Sequence, residues 1–109
     1  MFVNLTPHTI NVVVGDKKHE FKSEGIARVS SESKTVGEID GIPVVDTVLG
    51  DIVGMPEPKL GVVYIVSRMV RDAMVRKGMD RQDVVCPDTG PTAIRNDKGQ
   101  VVGVIRFTY

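Results

Sequence analysis

The hydrophobic positions of this 109-residue chain fall mostly in short alternating runs, and one stretch breaks that pattern. Residues 61–77, GVVYIVSRMVRDAMVRK, begin as an unbroken apolar run at 62–66 and turn, at Ser67 and Arg68, into helical spacing. A run with no polar alternate predicts a strand covered on both faces. Val66, Met69, Val70, Ala73 and Met74 then form one apolar stripe at helical spacing, with Arg68, Arg71, Asp72 and Arg76 off it. Ser67 is a good N-cap and Gly78 a good C-terminal stop. The pattern predicts a central strand feeding the only substantial helix, near residues 67–77.

Sheet is expected on either side. Residues 1–5 form a short extended piece that ends at Asn4-Leu5-Thr6-Pro7-His8, where Pro7 biases Thr6 away from helix. Residues 9–14 alternate, and Gly15-Asp16 signals a hairpin into a return strand at 17–22. Residues 26–30 read as a strand and the polar stretch 31–34 as a loop. Asp40-Gly41 is the strongest hairpin signal, joining 36–39 to 42–48, and Pro43 puts the second strand at an edge or just beginning. Gly50-Asp51 reads as a turn, and 54–61, with Pro56 and Pro58, as a non-helical loop. Beyond the helix come a strand at 83–86, a dense turn at Asp88-Thr89-Gly90-Pro91, a strand at 92–95, a turn at 96–99 and a last strand at 101–107. The expected fold class is α+β: a β-rich single domain over residues 1–109, with about eight short, mostly antiparallel strands and one helix. Closure into a small barrel would remove exposed strand edges, and the sequence leaves it open.

Composition narrows the functional classes. Fourteen basic and fourteen acidic residues give zero formal charge, which argues against non-specific nucleic-acid binding, a function that needs a basic surface. Cys86 is the one cysteine, so no internal disulfide forms and a reducing interior fits best. No signal-peptide pattern is present, and no apolar run approaches the roughly 20 residues a bilayer span needs. Phosphate loops, dinucleotide fingerprints and zinc-ligand spacings are absent, so no cofactor, metal or catalytic residue is expected. Cys86 follows two valines and reads as a buried structural thiol. Tyr64, between Val63 and Ile65, reads as core, and Asp46, Asp51, Asp83 and Asp88 as turn residues.

The best ligand signal is Ser67-Arg68. A helix N-terminus exposes free N–H groups, and an arginine fork suits phosphate or carboxylate. Arg28, Arg81 and Arg95 sit beside apolar strand residues and would complete an anion site if the fold brought them together. His8, after the Pro7 turn, would add a donor or a surface for a base. The plainer alternatives are a capping serine, surface or ion-paired arginines, and a turn histidine.

Several segments act as a set: Asn4-Leu5-Thr6-Pro7-His8, GIARV at 25–29, GEIDGIPVV at 37–45, GMPEP at 54–58, YIVS at 64–67 and PDTGPTAIR at 87–95. Their order, over nearly the whole chain, resembles a family of short proteins encoded by bacteriophages and prophages. Cys86 departs from that pattern, which has a small residue such as alanine there. The resemblance implies a phage setting in the host bacterial cytoplasm and transfers no catalytic residues. In that setting the first expectation is an anti-defence sponge, which holds an anionic nucleotide-derived immune signal of the cyclic or modified ADP-ribose type without chemistry. Homo-oligomers often form such pockets. The alternatives are a virion, assembly or protein-interaction factor, and a small phosphodiesterase-like enzyme that degrades such a signal.

Overall fold

The computed structural model describes residues 1–109. Ten strands and one helix follow in the order β1 (Phe2–Asn4), β2 (Ile10–Val14), β3 (Lys17–Phe21), β4 (Arg28–Ile39), β5 (Ile42–Val53), β6 (Val63–Ile65), α1 (Arg68–Arg76), β7 (Val84–Pro87), β8 (Ile94–Arg95), β9 (Val101–Gly103) and β10 (Phe107–Thr108). The architecture is the expected β-rich α+β fold with one helix. Closure does not occur: the strands form one four-stranded sheet and three separate two-stranded ladders.

The unbroken apolar run becomes β6, at the centre of the four-stranded sheet β1-β6-β7-β10. β1 and β7 flank β6 in parallel, and β10 runs antiparallel along β7. Local sequence carries no signal for that parallel pairing. Its consequence is that both faces need cover. On one face Tyr64, Val66 and Val84 pack with Val70 and Met74 of α1. On the other, Phe2 and Phe107 meet Phe21 of β3, with ring centroids 5.3 Å (Phe2–Phe21) and 6.1 Å (Phe21–Phe107) apart. Ile65, Val66 and Met74 are completely buried, whereas only 18 of the 109 residues are buried at all. The core is therefore thin and centred on β6.

Helix α1 starts at the predicted cap. Ser67 is extended and its Oγ accepts from the Val70 N–H at 3.3 Å, while Lys77 caps the C-terminus ahead of Gly78. The stripe is rotated from expectation. Val70, Ala73 and Met74 are buried as expected, but Met69 is half exposed and Arg71 is buried.

The largest departure is at β4 and β5. Each is 12 residues long, and the polar stretch 31–34, expected as a loop, lies inside β4. Gly50-Asp51, expected as a turn, forms an irregularity within β5. A strand that faces water on both sides has no alternation to announce it. The Asp40-Gly41 turn does form, with φ of 51° and 79° at its two residues, the mirror-image turn that suits a tight hairpin. Val29 and Ile52 pack the base of this hairpin on the core. Gly54 closes that base: its φ is 84°, and a Cβ there would fall 2.5 Å from the Ile26 carbonyl oxygen. The rest projects as an arm. The radius of gyration is 16.4 Å and the extents are 53 × 39 × 20 Å, against about 13 Å for a compact chain of about 100 residues. The last strand also divides, because the chain leaves the ladder at Ile105 and Arg106 before β10.

Asn4, at the end of β1, is fully buried and bonds in four directions. Its Nδ2 donates to the His8 and Phe21 carbonyls, both at 2.8 Å. Its Oδ1 accepts from the Thr6 N–H at 2.9 Å and lies 2.7 Å from Thr6 Oγ1. Asn4→Ala would orphan several of these buried groups at once. It is expected to destabilise by about 2–4 kcal/mol, from the roughly 1–3 kcal/mol that each buried unsatisfied group costs. Urea unfolding at neutral pH checks this, and a loss under about 1 kcal/mol would mean that water replaces the carboxamide.

Candidate functional site

Three loops leave the carboxyl ends of the parallel strands on one edge of the sheet: residues 5–9 after β1, Val66-Ser67 after β6, and 88–93 after β7. The carboxyl edge of parallel strands is where ligands of α/β sheets usually sit. Pro7 and the Asn4–Thr6 bonds hold the first loop so that His8 is exposed. His8 lines a cavity of about 230 Å³ with Thr9, Asn11, Pro87, Thr89 and Val102 among others. Ser67 stands at the second loop with its hydroxyl engaged as the N-cap. Arg95, on β8, reaches the third loop: its Nη2 donates to the Thr89 carbonyl at 3.4 Å, and its Nη1 to that of Gly99 at 2.8 Å.

Arg68 is exposed and its guanidinium is already engaged. Nε lies 3.3 Å from Asp72 Oδ1, and Nη1 lies 4.0 Å from the Cys86 sulfur. Its bond to Cys86 and the charge of Asp72 hold it further toward the cationic form. Beside it Asp88 accepts from Arg106 Nε at 2.7 Å and from the Gly90 N–H at 3.1 Å. Those two contacts, Arg106 first, hold its carboxyl below the usual carboxylate range. Two arginines and two aspartates thus alternate along this edge and neutralise one another.

Burial raises the Cys86 thiol above its ordinary value, and Arg68 partly opposes the rise. Cys86 is the buried free thiol that its valine neighbours predict. A thiol held in its neutral form is a poor nucleophile. No cluster of three or more histidine, cysteine, aspartate or glutamate side chains is placed to hold a metal. No helix is long and apolar enough to cross a membrane.

Of the six residues singled out from sequence, Arg68, His8 and Arg95 reach β7 or the turn after it, through Cys86, through the cavity shared with Pro87 and Thr89, and through the Thr89 carbonyl respectively, while Ser67 stands on the neighbouring loop after β6. Arg81 lies elsewhere. It precedes β7, and its fork takes both oxygens of Asp83, at 3.0 and 2.7 Å, while Nη1 donates to the Pro56 carbonyl at 2.8 Å. Its guanidinium carbon also stands 5.9 Å from the Tyr64 ring centroid. Arg28 is exposed at the base of the arm, opposite Val53. Asp88 and Arg106 complete the charge pattern at the carboxyl edge, and sequence reading missed their pairing. The two residues are 18 apart, and no local spacing signals such a contact.

Comparison with protein-family models, with curated proteins and with solved structures finds no match to this chain.

The Arg81–Asp83 pair carries a pH dependence. The bond from Arg81 holds the Asp83 carboxyl below its ordinary value. Its stabilisation is therefore complete above the unfolded value of about 3.9 and is lost as pH falls through the lower folded value. Asp83→Asn is expected to be less stable than wild type near neutrality, with the gap closing below about pH 4. Urea midpoints across an acid series read this directly, and a gap that persists at the acid end would exclude the pair as its source.

Proposed function

We propose that the protein is an assembly module whose copies join through the β4–β5 arm. The observation that carries this reading is the arm's unburied apolar surface. Ile39 and Ile42 are about two-thirds exposed, and Val36, Val45 and Val48 about half. Ile42, Val44 and Val48 fall on one face of β5, and Ile39 pairs with Ile42 across the turn. A two-stranded hairpin alone is marginal in water, and its two open edges invite further strands. Apolar patches of this kind mark interaction sites.

The partner most consistent with the surface is a second copy of the chain. With zero formal charge, two copies meet without net repulsion. Lys34 stands opposite Asp46 within each arm, so a two-fold contact can set unlike charges against each other. Two 12-residue strands also match the about 20–30 residues that each side of a standard interface provides. In the phage setting implied by the resemblance, such a unit serves as a virion or assembly component. The wild-type protein is expected to associate in a concentration-dependent way by sedimentation velocity. The double variant Ile39→Asp, Ile42→Asp should weaken association at least a hundredfold, about 3 kcal/mol, with an unchanged circular dichroism spectrum. A wild-type monomer at every concentration would sink the proposal.

A second reading, the sponge for an anionic nucleotide-derived signal, draws support from the carboxyl edge of the sheet. There His8 lines the 230 Å³ cavity, Arg95 reaches Thr89 of the same cavity, and Ser67-Arg68 lies on the adjacent loop, Arg68 contacting Cys86. The opposing consideration is that Asp72 already pairs with Arg68, Asp88 adds negative charge beside it, and Arg95 is held by backbone carbonyls. A thermal-shift panel of cyclic and ADP-ribose-type nucleotides separates the readings. A true ligand at about 100 times its dissociation constant stabilises by about 2.7 kcal/mol. That shift should fall in Arg68→Ala and the ligand should be recovered intact; no shift with any nucleotide removes this reading.

A further inference from the structure

We propose that Arg71 anchors a carboxylate-binding site on the side of the sheet covered by α1. Arg71 is only 5% exposed. Its Nε and Nη1 are both buried and have no hydrogen-bond partner. None of the chain's four ion pairs includes it. Its guanidinium carbon stands 5.4 Å from the centroid of the Tyr109 ring. A guanidinium does not shed its charge on burial. A ring face returns much less than the lost hydration of a buried cation. The chain buries a fixed positive charge and gives it no hydrogen-bonded counter-charge, since Asp83 acts on it only through space, so a bonded carboxylate is expected from outside.

The space is present. Arg71, Val75, Gly78, Met79 and Asp80 line a cavity of about 200 Å³. That is smaller than the roughly 300–1,000 Å³ of a site for a whole small molecule, so it suits one head group with the remainder outside. Two features select the head group. The planar guanidinium fork matches a planar carboxylate. Asp80 is exposed at the rim, where it disfavours a multiply charged anion such as phosphate and favours a ligand whose remainder is neutral or cationic. The chemistry recognised is thus a carboxylate with at most one net negative charge, as in a small carboxylic acid or an amino acid. This site lies apart from both the arm and the Ser67 edge, and its success or failure leaves those readings untouched.

The test uses the intact chain with acetate, glycine and inorganic phosphate as probes, against sodium chloride at matched ionic strength. Acetate and glycine are expected to raise the thermal midpoint of the wild type, and phosphate to do so less. The Arg71→Met variant should fold with a midpoint no lower than that of the wild type in chloride, and should not respond to acetate. Asp80→Asn should raise the response to phosphate relative to acetate. An equal acetate response in wild type and Arg71→Met would overturn the proposal. So would no response in the wild type, which would assign the cavity to water. Should Arg71→Met fail to fold, a nitrogen-15 titration of the wild-type Arg71 Nε–H with acetate decides. A saturable shift supports the site and an unmoved signal excludes it.

Discussion

Everything in this fold follows from the need to cover both faces of β6. Parallel strands β1 and β7 flank it, so neither edge of β6 is open and neither face can be left to water. The one helix takes one face and the β2–β3 hairpin, through Phe21, takes the other. Those two covers make the core, and the remaining large apolar side chains, on the arm and elsewhere, stay at least partly exposed. The fully buried residues, Ile65, Val66, Val70, Met74, Val84, Asn4 and Cys86 among them, lie on or against β6 and β7. Neither cover reaches the distal part of β4 and β5, where residues 33–46 are all exposed. The arm stands outside the core, and its exposed isoleucines and valines form a concentrated part of the apolar surface that the single chain leaves to water.

Polar groups divide along the same line. Asn4 is buried because the end of β1 is wrapped by the loop that its own carboxamide organises, joining residues 4, 6, 8 and 21. Arg81 is tolerated near the core because Asp83 meets its fork with two bonds and Pro56 takes a third. Each of these groups is satisfied within the chain, as burial requires. The carboxyl edge is satisfied too, but at the surface, where Arg68, Asp72, Asp88 and Arg106 pair off. Exposed pairs of that kind contribute little to stability and are easily exchanged for other partners.

Sequence made the centre legible and left the periphery obscure, for physical reasons. The run at 62–66, the Ser67 cap and the helical stripe are local signals; the structure follows the first two and keeps Val70, Ala73 and Met74 of the stripe buried, with Arg71 in place of Met69. Asp40-Gly41 is local too, since its geometry depends on two residues. The length of β4 was hidden because Ser31, Ser33 and Thr35 face no core and show no alternation of polarity. Parallel pairing of β1 with β6 joins residues about sixty positions apart, with nothing in either segment to announce it. Ser67, Arg68, His8 and Arg95 stand out in the sequence because they fall at strand, helix or turn ends, where turn chemistry is readable. The pairing of Arg68 with Asp72 and of Arg106 with Asp88 depends on side-chain placement, and the second pair spans residues 18 apart.

Arg71 shows where pattern reading fails most instructively. On a helical wheel it lies off the apolar stripe and belongs with Arg68 and Arg76 in water. In the fold α1 lies so that Arg71, and not Met69, is turned inward, toward Tyr109 and the end of the sheet. The exchange is unfavourable on hydrophobic grounds alone: it exposes a methionine and buries a cation. A helix free to roll by one position would reverse it. Two contacts on the buried side resist that roll, Val70 and Met74 against Tyr64 and Val84, and Ser67 fixes the first turn. The orientation of α1 is therefore set by the strand-to-helix hinge and the β6 core, and Arg71 is carried inward with it. A buried charge held in place by packing it does not itself stabilise is a point of conflict between local preference and fold. Such conflicts are expected where a site has a role beyond folding.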